Sequence, residues 1–260
     1  MLVDSHCHLD LIDPALGGVE HLLSEAKQRD VGHFLCVSVG LENIERVREI
    51  AVQYPNVFAS AGVHPNGVAE QPVSAEQLLA LASFDEVVAI GETGLDYFRS
   101  DNADQQQQQM KLHVGVAREL GKPLIIHMRD AAEDTLTLLE NEKADQAGGV
   151  MHCFVDDIVS AKRAMDLGFM ISFSGIVTFK SARDLQQVAR QIPADSLLVE
   201  TDSPWLAPVP WRGKTNQPAY VHDVACYLAE LRDEGFDDLA KSTSDNFFRL
   251  FKFARRDLLT

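Results

Sequence analysis

Short apolar runs alternate with longer amphipathic stretches along the chain. The runs are Leu2-Val3, Phe34–Val37, Val57–Val63, Val87–Ile90, Pro123–Ile126, Val150-Met151, Phe169–Phe173 and Leu197–Val199. Near-continuous apolar runs of this kind predict strands buried on both faces of a parallel sheet. Between them, apolar residues recur at roughly 3.6-residue spacing, which predicts helices. These cover Val19–Arg29, Ile44–Tyr54, Ala75–Ala82, Gln105–Leu120, Ala131–Asn141, Ile158–Leu167, Ala182–Arg190 and Tyr220–Arg232, with an additional C-terminal helix over Asp237–Lys252. Gly32, Gly121 and Gly168 stand where helix stops are wanted.

Eight strand–helix units in this length predict an α/β fold of the (β/α)8 TIM-barrel type, with residues 1–260 as one domain. A doubly wound open sheet would not need the eighth unit. No Pro-, Gly- or Ser-rich linker divides the chain. The Gln105–Gln109 run reads as a solvated first turn of the fourth helix.

Composition adds limits rather than identity. Hydrophobic residues make up 46% and charged residues 24%, which excludes disordered and collagen-like chains. The formal net charge of −16 argues against nucleic-acid or anionic-membrane binding by bulk attraction, and leaves a metal-lined cleft as the place for such a substrate. Cys7, Cys36, Cys153 and Cys226 form no C-x-x-C pair and suit a reduced, cytoplasmic protein. The N-terminal residues do not read as a signal peptide, and no apolar stretch is long enough to span a membrane. Dinucleotide-binding, Walker-A, His-Glu-x-x-His and Gly-x-Ser-x-Gly patterns are absent, so no organic cofactor is expected.

The chemistry sits in the polar residues that follow the apolar runs. His6-Cys7-His8, His64, Glu92, His127, His152 and Asp202 all occupy such positions, and strand ends converge on one mouth of a barrel. His6 and His8 are two apart, so on a strand both point to the same side, and Cys7 points away into packing. Five of nine histidines at strand ends, with two acids, predict a metal site. His21, His33, His113 and His222 read as surface or supporting residues. His6, His8, Glu92, His127, His152 and Asp202 make six ligands, enough for two divalent ions about 3.5–4 Å apart if one carboxylate is shared. Strands 1 and 8 are neighbours in a closed barrel, so His6, His8 and Asp202 should group at one ion. His127 and His152 should group at the other, with Glu92 as the bridge.

Six segments resemble one family in order and along essentially the whole chain. They are Asp4–Asp10, Gly62–Pro65, Ile90–Asp96, Ile126–Asp130, His152–Phe154 and Leu198–Pro204. They resemble the TatD family of metal-dependent hydrolases. Ser172–Phe179 and Leu206–Pro210 are similar to its YcfH-like branch. The resemblance implies a TIM-barrel hydrolase with two divalent ions, whether Mg, Mn or Zn. It implies the same six ligands, and a deoxyribonuclease acting 3′-to-5′ on single-stranded DNA. Some members are connected instead with D-aminoacyl-tRNA, so hydrolysis of a carbon-centred ester, amide or lactone is the alternative.

The expected nucleophile is a hydroxide held by the ions, with Asp202 as proton acceptor and Glu92 as bridging catalytic carboxylate. His64 exceeds the ligand count. It either contacts a phosphate, protonates the leaving group, or hydrogen-bonds a neighbouring strand end. Arg129 either pairs with an acid near the metals or steadies a phosphate. Glu200 is expected to orient a ligand. Trp205, Trp211, Arg212 and Lys214 form either an edge for an unpaired strand or an aromatic cover with exposed basic residues.

Overall fold

The computed structural model describes residues 1–68 and 72–257. Its strands are β1 (Leu2–Cys7), β2 (Val31–Cys36), β3 (Val57–Ala61), β4 (Val87–Asp96), β5 (Leu124–Arg129), β6 (Gly149–Met151), β7 (Phe169–Phe173) and β8 (Leu197–Val199). The helices are α1 (Gly18–Lys27), α2 (Leu41–Gln53), α3 (Ala75–Ala82), α4 (Ala103–Leu120), α5 (Ala132–Asn141), α6 (Ile158–Asp166), α7 (Arg183–Gln191), α8 (Val221–Arg232) and α9 (Phe236–Leu250). Each strand runs parallel to the next in one sheet ordered β1 to β8. The ends meet beyond β8, where the N–H of His8 donates to Ser203 O at 2.9 Å and the N–H of Asp202 donates to His6 O at 2.9 Å. This is the (β/α)8 barrel that the apolar pattern predicts.

Local chemistry sets several boundaries. Ser74 opens α3 with a reciprocal cap: its hydroxyl accepts from the Gln77 N–H, and the Gln77 side chain accepts from the Ser74 N–H. Asp157 caps α6 by accepting from the Ser160 N–H at 2.8 Å. Gly121 closes α4 in the left-handed conformation. Gly32 is not a helix stop: it lies inside β2, and the chain turns after α1 at Asp30, whose φ is 58°. Aspartate tolerates this region better than most residues.

Two layers of core hold the barrel. Strand and helix faces pack together outside the sheet. Inside it, Val3, Leu35, Phe58, Val88, Ile125, Val150, Met170 and Leu198 fill the interior with Phe247 of α9 and Phe251 just beyond its end. Both phenylalanines are fully buried, and each contributes roughly 1.5–3 kcal/mol by leaving water. The side-chain amide of Asn246 donates to Ala194 O and Leu197 O, and the Ser244 hydroxyl donates to Met1 O. The C-terminal helix therefore seals the amino ends of the strands and leaves the carboxyl ends as the open mouth.

β1 and β4 run further than their apolar stretches. Polar residues at the top of a strand stop an apolar count without stopping the strand. The glutamine run also differs from expectation. Gln106 is fully buried, accepting from the Asp96 N–H at 2.7 Å and donating to Asp96 O at 3.1 Å. Gln109 makes paired bonds to the backbone of Val73. Gln105 and Gln108 are exposed as a solvated run would be, but Gln106 holds the end of β4 and Gln109 the backbone at Val73.

Candidate metal centre

Parallel strands bring six polar side chains to one point above the apolar interior. His6 and His8 share a side, and their Nε2 atoms are 3.2 Å apart. Glu92 on β4 lies at the centre. Its Oε2 is 3.5 Å from His6 Nε2, while its Oε1 is 2.8 Å from His152 Nε2 and 3.0 Å from His127 Nδ1. Asp202 Oδ1 closes the first side at 3.4 Å from His8 Nε2 and 3.8 Å from His6 Nε2. The two carboxylate oxygens of Glu92 thus face different histidine groups. The structure brings together all six residues that the ligand count selects.

Gly94 lets β4 approach β5 closely enough for this. Its φ is +145°, and a Cβ there would stand 1.9 Å from His127 O. Only glycine fits that backbone and that spacing.

The donor set fits divalent cations. His8 directs Nδ1 to Val37 O at 2.8 Å, so Nδ1 carries the hydrogen and Nε2 presents a lone pair to the site. His152 Nε2 is buried without an aligned hydrogen bond despite its closeness to Glu92. Glu92, Asp202, Glu200 and Asp96 place four carboxylates among these imidazoles, in a protein of strong negative charge. Burial works to raise Glu92, but the imidazoles of His152, His64 and His127 hold it well below the usual carboxylate range. Burial likewise opposes Asp202, and His8, His152 and His6 bring it down. Lone pairs and carboxylates converging in a buried space are the surroundings that a cation completes.

The supporting contacts extend outward. Glu200, fully buried, accepts from the Cys153 N–H at 2.8 Å and lies 3.2 Å from His152 Nδ1. Asp96 Oδ2 lies 3.2 Å from His127 Nε2. Asp4 accepts from the Thr201 N–H and hydroxyl and from the His6 N–H, tying β1 to the turn that carries Asp202. Asp96 and Asp4 carry no role in the sequence reading. The available signal was their even spacing from His6 and Glu92 on the same strands, which puts each on its neighbour's side.

His64 stands at the edge. Its Nδ1 accepts from the Asn66 N–H at 3.1 Å, so its neutral ring carries the hydrogen on Nε2, 3.5 Å from Glu92 Oε1. Burial pushes it down to about 4, which keeps it neutral. His64 therefore offers the site a hydrogen rather than a lone pair.

The outer residues divide. Trp205 is 49% exposed and meets His8 edge-on with ring centroids 5.2 Å apart. Arg129 makes no ion pair among the described residues; its guanidinium lies over the Phe98 ring at 4.2 Å. Arg212 lies over Phe179 at 4.3 Å. Trp211 turns inward instead, stacked on Tyr220 and donating to Asp223 at 2.8 Å, so it braces the loop after β8 and is not part of an exposed edge. Lys214 lies over that ring. His33 and His113 are buried rather than at the surface: His33 packs against Phe58 and Phe248, and His113 accepts from the Val63 N–H.

Comparison with known proteins adds identity to this geometry. The family model described as TatD related DNase matches residues 3–252. The chain belongs to the TatD family. It is 49% identical over 253 residues to the metal-dependent hydrolase YcfH of Escherichia coli K12, covering 96% of this chain and 95% of YcfH. It is 38% identical to YabD of Bacillus subtilis, a metal-dependent hydrolase, over 97% of this chain and 99% of that protein. The crystal structure of YjjV, a TatD homologue from Escherichia coli, superposes with a TM-score of 0.89 at 32% identity, covering 96% and 98% of the two chains. YcfH and YabD are both described as uncharacterized. Family membership makes this chain a metal-dependent hydrolase, with His, Glu and Asp clusters suited to metal.

Proposed function

We propose that the protein is a divalent-metal-dependent deoxyribonuclease that removes nucleotides from the 3′ end of single-stranded DNA. The observation that carries this reading is Glu92, whose two oxygens face His6 on one side and His127 and His152 on the other. Such an arrangement suits two ions flanking one phosphodiester. The description of the matching family as DNase-related supports the substrate class.

When bound, two divalent ions supply Lewis acidity toward the phosphoryl oxygens and the attacking water. His6, His8 and Asp202 would hold the first, His127 and His152 would hold the second, and Glu92 would serve both. Asp202, partly open to the mouth, takes the proton of the attacking water. The Nε2–H of His64 faces the developing charge and donates to a phosphoryl or leaving oxygen. Glu200 holds His152 with its Nε2 lone pair toward the site. Trp205 offers an exposed ring beside His8 on which a terminal base stacks, and Arg129 and Arg212 serve the phosphates.

The test uses end-labelled single-stranded oligonucleotides with magnesium or manganese, beside an Asp202→Asn control. Stepwise shortening from the 3′ end, lost in the control, supports the reading. An intact oligonucleotide in the presence of metal-loaded protein contradicts it and turns attention to ester and amide bonds at carbon, including aminoacyl-tRNA.

A further inference from the structure

We propose that Asn66 is a positioning residue that fixes one Nε2–H tautomer in His64 and His127, two imidazoles that turn opposite nitrogens to the same oxygen of Glu92. The inference rests on the metal-site reading above and deepens it. His64 and His127 both approach Glu92 Oε1, at 3.5 Å and 3.0 Å. They come from different strand ends and have different partners behind them.

Asn66 links those partners. Its backbone N–H donates to His64 Nδ1 at 3.1 Å. Its side-chain amide donates to Asp96 Oδ2 at 3.2 Å, and the same oxygen lies 3.2 Å from His127 Nε2. Asp96 Oδ1 is fixed separately by the N–H groups of Phe98 and Arg99, at 3.1 Å and 2.9 Å. The amide of Asn66 is oriented in turn by Ser100, whose hydroxyl donates to Asn66 Oδ1 at 3.1 Å. The amide's two ends are thereby distinguished: oxygen toward Ser100, nitrogen toward Asp96.

The two rings share one tautomer but face Glu92 with opposite nitrogens. A ring whose Nδ1 accepts a hydrogen bond carries its hydrogen on Nε2, so His64 points a donor at Glu92. A ring whose Nε2 donates to a carboxylate has its lone pair on Nδ1, so His127 points an acceptor at the same place. One residue in the short turn after β3 thus divides a pair of similar imidazoles into a hydrogen donor and a metal ligand. Asn66 touches neither Glu92 nor the space between the ligands, and acts through His64 and Asp96.

The test compares the full-length parent with Asn66→Asp and Asn66→Ala. Asn66→Asp keeps the shape but sets a carboxylate against Asp96. Two readouts are used: nitrogen chemical shifts of the histidine rings in zinc-loaded protein, and calorimetric titration with manganese. In the parent, His64 and His127 should both carry hydrogen on Nε2. In Asn66→Asp, His127 should lose that preference and one of the two manganese sites should lose about 10- to 100-fold in affinity, the loss usual for a disrupted supporting contact. The other site should be unchanged. Asn66→Ala should move both readouts in the same direction by less. Unchanged ring shifts and both affinities unchanged in either folded variant would overturn the proposal. A parent that binds no second ion would instead contradict the two-ion reading, while its ring shifts would still test the role of Asn66.

Discussion

Acidification should destabilise this protein in part through one histidine remote from the ligands. His113 on α4 is fully buried, accepts from the Val63 N–H at 3.1 Å through Nε2, and directs Nδ1 to Gln109 O at 2.7 Å. The bond accepted at Nε2 requires the neutral ring. Protonating Nε2 would set two N–H groups against each other in a buried place. Burial accordingly pushes His113 down to about 4, from 6.5 in the unfolded chain. Between these values the unfolded state binds the extra proton, so stability rises with pH across that window and falls on acidification. The contribution is fully present above 6.5 and is lost as pH falls toward 4. Each unit of separation is worth about 1.4 kcal/mol, so the loss between pH 7.5 and pH 4.5 is about 2.5 kcal/mol. Urea unfolding across this range measures it, with His113→Gln as the comparison. The variant retains an acceptor for Val63, loses about 1 kcal/mol at pH 7.5 through the missing bond to Gln109, and shows a correspondingly shallower pH dependence. Equal pH dependence in parent and variant would show that His113 does not carry this acid sensitivity.

Three further outcomes follow from the site. Glu200→Gln should weaken manganese binding by about 10- to 100-fold, because His152 loses a charged partner; calorimetry showing parent affinity would contradict this. Gly94→Ala should lower stability by about 3 kcal/mol or more, since the added carbon meets His127 O, and urea unfolding at the parent midpoint would show that β4 and β5 tolerate separation. Trp205→Ala should raise KM for single-stranded DNA by about 5- to 100-fold with kcat little changed, as the loss of one stacked base predicts; a fall in kcat at constant KM would assign Trp205 another role.

The elements were legible because each strand buries both faces and each helix buries one. The runs from Phe34, Val57 and Phe169 all fall on strands, and the periodic stretches fall on α1 to α9 within a few residues. The six converging residues were legible because barrel topology sends every strand end to the same mouth. What escaped was polar burial. Gln106 looks like part of a solvated glutamine run, yet it completes the backbone at Asp96. Asp96 shares the even spacing of Glu92 along β4, but only the pairing of β4 with β5 brings it to His127. His113 has the amphipathic setting of an ordinary helix residue, and only the packing of α4 against the loop after β3 buries it. Trp211 and Trp205 are alike in sequence context, and the Asp223 and Tyr220 side chains alone distinguish the inward ring from the exposed one. Such contacts join residues distant in sequence, so no local pattern records them.

Sharing of Glu92 by two divalent ions is visible in anomalous scattering from crystals loaded with manganese. Two peaks about 3.5–4 Å apart, one beside His6, His8 and Asp202 and one beside His127 and His152, are the predicted result. A single peak, or two peaks not flanking Glu92, would contradict it.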